Sequence, residues 1–301
     1  MLQLERRCFS NWFRWLTASS GDARFAVTMD SLFADVDREL QSTSAEGPYF
    51  LGAELSLVDV MFTPFLERME SSLPYYKGYH VRSERFPHLS RWFDAMDTRP
   101  AYVGMKSDYY THAHDLPPQI GFCHFIEAAT PYRTAIDGGD WSVDKTGDKN
   151  NRFMKEPLLP LDKDATSARR EVARNILGNQ ASKCEPLYLA KFCARALSGG
   201  KMKGPSVDAP MSDPNLCSNE QYVPLLDGAL RHIVHHMLSC SDEDPYYPSL
   251  PKQLLPDSAK SGVKTGLEYL RDRISVPRDM SVHAAKQFRS HINLFIDTHA
   301  V

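Results

Sequence analysis

The spacing of apolar residues constrains this chain more than any other feature. Phe25, Met29, Leu32, Phe33, Val36 and Leu40 stand at offsets of 0, 4, 7, 8, 11 and 15. A helix gathers all of them on one side, whereas a strand would split them between two faces. Leu4, Cys8, Trp12, Trp15 and Leu16 make an earlier stripe, and Ser19-Ser20-Gly21-Asp22 is the break between the two helices. Later in the chain, residues 171–177 predict a short helix and residues 187–197 an apolar one. Tyr222, Leu225, Leu226, Ala229, Leu230, Ile233 and Met237 form the most regular stripe. Val263, Leu267, Leu270 and Ile274 make another, stopped by Pro277; Ala285, Phe288, Ile292 and Phe295 make the last, with Ser281 as its N-cap. No strand pattern, internal repeat or heptad run competes, so the predicted class is all-α.

With 301 residues there is room for two domains. Periodicity fails between Thr130 and Ser167, where Asp137-Gly138-Gly139-Asp140 and the polar run from Asp144 to Asn151 are turn chemistry. A connection that long is unusual inside one compact domain. The reading is therefore a helical domain over residues 1–121, an irregular linker over 122–164 and a helical extension over 165–301. Lys and Arg number 35 against 38 Asp and Glu, so no whole-chain field draws nucleic acid, and none is expected as a partner. No apolar run approaches the roughly 20 residues of a membrane span. The six cysteines form no CxxC pair, which points away from zinc ribbons and dithiols and toward a reducing, intracellular compartment. Arg6, Arg7 and Arg14 give the start an amphipathic, presequence-like character, but Trp12, Phe13, Trp15 and Leu16 read as a folded helix, not a clear targeting peptide.

Ser56-Leu57-Val58-Asp59 has the pattern of a capping box, with Leu55 and Val60 placed as the hydrophobic staple. As a cap alone, Asp59→Ala is expected to cost about 1 kcal/mol. The apolar residues from Leu57 to Phe62 point in nearly every direction, as in the central helix of a bundle, and Pro64 predicts a bend near Val60. A further helix opens at Phe86-Pro87, turns Leu89, Trp92, Phe93 and Met96 inward and ends at Arg99-Pro100. Tyr75, Tyr76 and Tyr79 around Lys77 read as an aromatic loop packed on neighbouring helices. His112, His114 and His124 in a short irregular segment, and His232, His235 and His236 on a helix, lack the carboxylate or cysteine pattern of a metal centre, so no metal is expected. The second trio reads as a solvated face. Cys8 falls on the apolar stripe, Cys123 lacks a setting that lowers a thiol pKa, and no Walker or Rossmann glycine pattern occurs. No catalytic residue is expected from the chain itself.

Taken together, Gly47-Pro48-Tyr49-Phe50-Leu51-Gly52, Glu54-Leu55-Ser56-Leu57-Val58-Asp59 and Phe86-Pro87-His88-Leu89-Ser90-Arg91-Trp92-Phe93, running on to Pro100-Ala101, resemble the helical C-terminal domain of the glutathione S-transferases. The continuation from Ser107 to Gly121 resembles the plastid-type or iota-like members of plants, algae and cyanobacteria, which carry a helical extension similar to the chain after Pro210. The resemblance implies that the capping box starts the central helix of the domain. It also implies that aromatic residues of the first helix, Trp12, Phe13 and Trp15, with Tyr109 and Tyr110, form the apolar wall of an electrophile pocket. Complete members begin with a thioredoxin-like domain that binds glutathione and carries the activating residue. No stretch here shows that pattern, so this chain by itself is expected to bind no cofactor, with glutathione entering only where such a domain is supplied.

Two functions follow from that resemblance. One is the hydrophobic half of a glutathione-dependent transferase or thiol reaction. The other is a non-enzymatic module that binds a protein partner, a second copy or a hydrophobic ligand through exposed helical surface. By the same resemblance the setting is the plastid, with the cytoplasm as alternative.

Overall fold

Gly21, at a φ of 84°, adopts the left-handed conformation that suits glycine and turns the chain between its first two helices. In this computed structural model, residues 1–137, 165–181, 186–204, 215–239 and 255–299 are described. Every regular element among them is helical, and the only extended pairings are the isolated bridges Tyr49–Gly52 and Met202–Leu216. The described residues fall into two units, divided after Asp137. No described helix is long and apolar enough to cross a membrane.

In the first unit, α1 (Leu2–Thr17) and α2 (Asp22–Ser42) pack on α3 (Leu57–Lys77) and α4 (Pro87–Asp97); a short α5 (Pro100–Val103) and α6 (Tyr109–Ile120) follow. Both predicted stripes turn inward, with Cys8, Trp12, Trp15, Leu16, Met29, Leu32, Phe33, Val36 and Leu40 all buried. Helix α3 is central through its second half, where every residue from Met69 to Lys77 is buried. It continues through both Pro64 and Pro74. Tyr75, Tyr76 and Lys77 therefore belong to a buried helix end rather than a loop, and Gly78 closes it at a φ of 59°.

The capping box is formed in both directions. Asp59 does more than cap: its Oδ2 accepts from Ser56 N at 2.8 Å and Ser56 Oγ at 2.6 Å, while its Oδ1 accepts from Phe50 N at 3.1 Å and Trp92 Nε1 at 2.8 Å. One fully buried carboxylate thus ties the Phe50 loop and α4 to the start of α3. Gly47 lets that loop fold tightly, since a β-carbon there would lie 2.3 Å from the Gly52 carbonyl oxygen and 2.4 Å from Ala53 Cα. Of the expected staple, Leu55 packs against the core while Val60 is 52% exposed.

The first unit runs past residue 121, where the sequence places a linker. Residues 122–126 cross two helix ends: His124 N donates to Leu16 O at 2.8 Å and Ile126 N to Tyr76 O at 3.0 Å, satisfying carbonyls that a helix terminus leaves open. A 3-10 turn (Glu127–Ala129) then leads into α7 (Thr130–Asp137), too short for its apolar spacing to register. Residues 138–164, including the expected glycine and lysine turns, lie outside the described residues.

The second unit contains α8 (Ala165–Gln180), longer than the short helix expected, then α9 (Tyr188–Ala194), α10 (Val223–Ser239), α11 (Lys260–Arg271) and α12 (Val282–Thr298). Ser281 caps α12 as predicted, accepting from Ala284 N at 3.3 Å. Glu171 of α8 accepts from both Ser281 N and Ser281 Oγ, at 2.6 and 2.8 Å. Helices α10 and α11 meet closely at Gly266, where a β-carbon would lie 2.8 Å from a Leu226 methyl and 3.3 Å from the Cys193 carbonyl.

The Asp59 geometry revises the expected cost of losing it. Truncation leaves Trp92 Nε1–H and Phe50 N–H inside the core without an acceptor, each at roughly 1–3 kcal/mol, in addition to the cap. Asp59→Ala is expected to lower unfolding free energy by about 4 kcal/mol and Ser56→Ala by about 1 kcal/mol. Denaturant unfolding followed by tryptophan fluorescence measures both, and equal effects would contradict the hub role.

Candidate functional site

The aromatic residues expected to wall a pocket lie mostly inside the first unit. Trp12 is buried and its Nε1 donates to Ser72 Oγ of α3 at 2.9 Å; Trp15 is buried and donates to Asp22 Oδ1 at 2.8 Å. Tyr109 donates to Glu70 Oε1 at 2.9 Å, and Tyr110 stacks on His114 with ring centroids 4.0 Å apart. The first three tie one helix to another, and Tyr110 stacks within α6. Only Phe13 reaches solvent, at 37% exposure.

A different set forms the exposed apolar face. Phe9 of α1, outside the predicted group, places its ring 6.2 Å from Phe13 and 5.1 Å from Phe65 of α3. On the outer side of α3, Leu57 is 73% exposed, and Val60 and Pro64 are exposed with it. Their spacing of three and four residues makes a stripe on one helix face. Leu57 and Val60 were legible as apolar, but inside the capping box their exposure carried no separate signal.

The buried cations Lys77, Arg82 and Lys106 of the first unit meet carboxylates. The Lys77 side chain has no exposed surface, and its Nζ lies 2.9 Å from Asp22 Oδ1. Burial alone would raise the Asp22 pKa, but the bonds from Lys77 and Trp15 outweigh it and hold the carboxyl below its usual range. Arg82 binds Glu70 at 3.2 Å, Asp97 at 2.9 Å and also Asp94, while Lys106 reaches Asp97 at 3.0 Å. Burial likewise opposes the ionised form of Glu67, yet the His112 imidazole at 2.7 Å and the Ser107 N–H at 2.8 Å keep it low. Such carboxylates stay ionised and are poor proton donors at neutral pH.

The histidines of the first unit have separate partners. His112 stands on α6, not in an irregular segment, and bonds Glu67; His114 lies 2.9 Å from Asp137 Oδ1 and 3.3 Å from Tyr75 Oη. His124 belongs to the crossing segment. Among the described residues no three His, Cys, Asp or Glu side chains converge as metal ligands. His235 is exposed as a solvated face requires, but His236 is buried, because it follows the Ile233 stripe by three residues and sits beside Met237. Cys8, Cys123 and Cys193 are buried free thiols, whereas Cys184 and Cys240 lie outside the described residues. Burial pushes Cys8 and Cys123 up to about 12 and raises Cys193 as well, the reverse of nucleophile activation.

Residues 8–103 match the family model for the glutathione S-transferase C-terminal domain. Among curated proteins, glutathione S-transferase L1 of Arabidopsis thaliana is 38% identical over 78 residues, covering 26% of this chain and 32% of that protein. Glutathione S-transferase L2, chloroplastic, of the same plant is 40% identical over 63 residues, 21% of each chain. Protein IN2-1 of Zea mays is 33% identical over 82 residues, covering 27% of this chain and 31% of that protein. The chain thus spans about a third or less of the length of these relatives. No solved structure gives a significant match.

The thiol environments predict a chemical outcome. Native chain treated with iodoacetamide at pH 8 is expected to leave Cys8, Cys123 and Cys193 unmodified, and all three react once guanidinium unfolds it. Peptide mass spectrometry reads this directly; rapid native labelling of Cys8 would show that its surroundings open.

Proposed function

With residues 8–103 a member of the glutathione S-transferase C-terminal domain family, we propose that this chain is the helical half of a glutathione-dependent transferase or thiol reaction. The observation that carries the reading is the apolar cluster of the partly exposed Phe9 and Phe13 against the half-buried Phe65, with Leu57 and Val60 exposed on the same helix as Phe65. A planar apolar electrophile gains affinity there through burial of aromatic area. Trp12 and Trp15 act behind that face by fixing α1 against Ser72 and Asp22.

A thioredoxin-like domain would supply glutathione and its thiolate, which attacks the electrophile held on the helical face. The buried cations of the first unit do not suit the peptide's carboxylates, because Lys77, Arg82 and Lys106 already bind carboxylates of the chain. Recognition of glutathione is therefore assigned to the other domain. The chloroplastic relative supports a plastid setting.

The same apolar face supports a second reading, in which it binds a protein partner or a second copy without catalysis. Apolar side chains left exposed on a helical surface can mark an interface.

Titration of the chain with a planar apolar fluorescent dye tests the first reading. Saturable binding is expected, and Phe13→Glu should weaken it by about 10-fold with the fold intact, since it places a charge on the contact surface. Undiminished binding in that variant would reject the assigned face. Light scattering across concentration tests the second reading: a dimer that Phe13→Glu disperses supports self-association, and a monomer at every concentration opposes it.

A further inference from the structure

Three aromatic rings line up in the second unit where α9 packs on α11. Tyr188 and Phe192 of α9 stack one turn apart, with ring centroids 6.5 Å from each other, and Tyr269 of α11 follows 5.1 Å from Phe192. Guanidinium groups lie over two of the rings. Arg195, in the 3-10 turn (Arg195–Leu197) that continues α9, is 5.3 Å from the Phe192 centroid, and Arg273 is 3.6 Å from that of Tyr269. All five residues are half-buried, so the row stands at the surface rather than in the core.

Charge along this row is uneven. Arg231, Lys260, Arg271 and Arg278 of the second unit each pair with an aspartate close in sequence, at 2.8–3.0 Å. Lys191 and Arg195 differ: among the described residues neither meets a carboxylate. Lys191 stands three residues after Tyr188 and four before Arg195, which puts both cations on the helix face that carries Tyr188 and Phe192. Glu268 precedes Tyr269 on α11 and pairs with neither.

The backbone under these cations is held from outside the helix. Ser218 Oγ donates to Lys191 O at 2.9 Å, Asn219 N to Ala194 O at 3.0 Å and Asn219 Nδ2 to Leu197 O at 3.1 Å. Carbonyls that the end of α9 leaves open are thereby bonded, and Lys191 and Arg195 project from a fixed frame.

We propose that this face of the second unit binds a planar aromatic phosphate monoester, the class to which nucleoside monophosphates belong. The phosphate takes both unpaired cations, Arg195 through its forked donors and Lys191 as a point charge, and its charge of about −1.5 to −2 matches their sum. The planar group extends the row of Tyr188, Phe192 and Tyr269, where aromatic faces and guanidinium planes favour a flat π-system. A monocarboxylate would leave one cation unmatched and an uncharged ring would leave both, so the site discriminates by charge as well as shape. The inference rests on the second unit alone and is independent of the electrophile face of the first.

Calorimetric titration of the full chain with AMP tests it, with adenosine and inorganic phosphate as the two halves of the probe. AMP is expected to bind saturably, at least about 10-fold more tightly than either half, and more weakly as salt rises. Lys191→Gln and Arg195→Gln should each reduce AMP affinity by about 10-fold, and Phe192→Leu by a similar factor, while Phe13→Glu in the first unit leaves it unchanged. No saturable binding, equal affinity for AMP and phosphate, or full affinity in both charge variants would overturn the site. Loss of AMP binding in Phe13→Glu would place the ligand on the first unit and overturn it too. Lys191→Gln changes only a charge on a helix surface, so the test stands even where Phe192→Leu fails to fold.

Discussion

The first unit depends on a carboxylate that never meets solvent. Asp59 accepts four hydrogen bonds from three parts of the chain, and in doing so converts a local helix cap into a tertiary joint. Its position explains why Gly47 and Trp92 must stand where they do. Gly47 allows the backbone approach that brings Phe50 N–H to the carboxylate, and Trp92 both fills the core and delivers its indole N–H to the same oxygen. A buried charge is costly unless fully bonded, so each of these residues constrains the others.

The two units handle buried polarity in opposite ways. In the first, Lys77, Arg82 and Lys106 face acids across helix boundaries, which fixes helix register as well as charge. In the second, burial keeps the imidazoles of His236 and His291 neutral. The first arrangement is stabilised by remaining ionised and the second by remaining uncharged.

Much of the fold was legible in the sequence because long amphipathic helices write their buried side as a repeat. The stripes of α2 and α10, the Ser281 cap and the Ser56–Asp59 box appear in the structure at the expected residues. What escaped was set by tertiary contact. Helix α7 is only two turns long, and the 122–126 segment is held by carbonyls of Leu16 and Tyr76 that no local pattern announces. His236 looked like part of a polar face because histidine is polar, yet its helix is covered from more than one side.

The candidate site shows the same limit in a sharper form. Trp12, Trp15, Tyr109 and Tyr110 were selected as large aromatics in the elements that would wall a pocket, but the property that suits a side chain to a ligand also suits it to a core. Their polar atoms decide between the two roles. Trp12, Trp15 and Tyr109 each find a partner on another helix or at a helix start, which locks them inward. Phe9, Phe13 and Phe65 have no polar atom to anchor, so they can stand at the surface and meet an apolar ligand without leaving a donor unsatisfied. The aromatic residues best able to present an open face are thus the phenylalanines, while the hydrogen-bonding aromatics behind them keep that face in place.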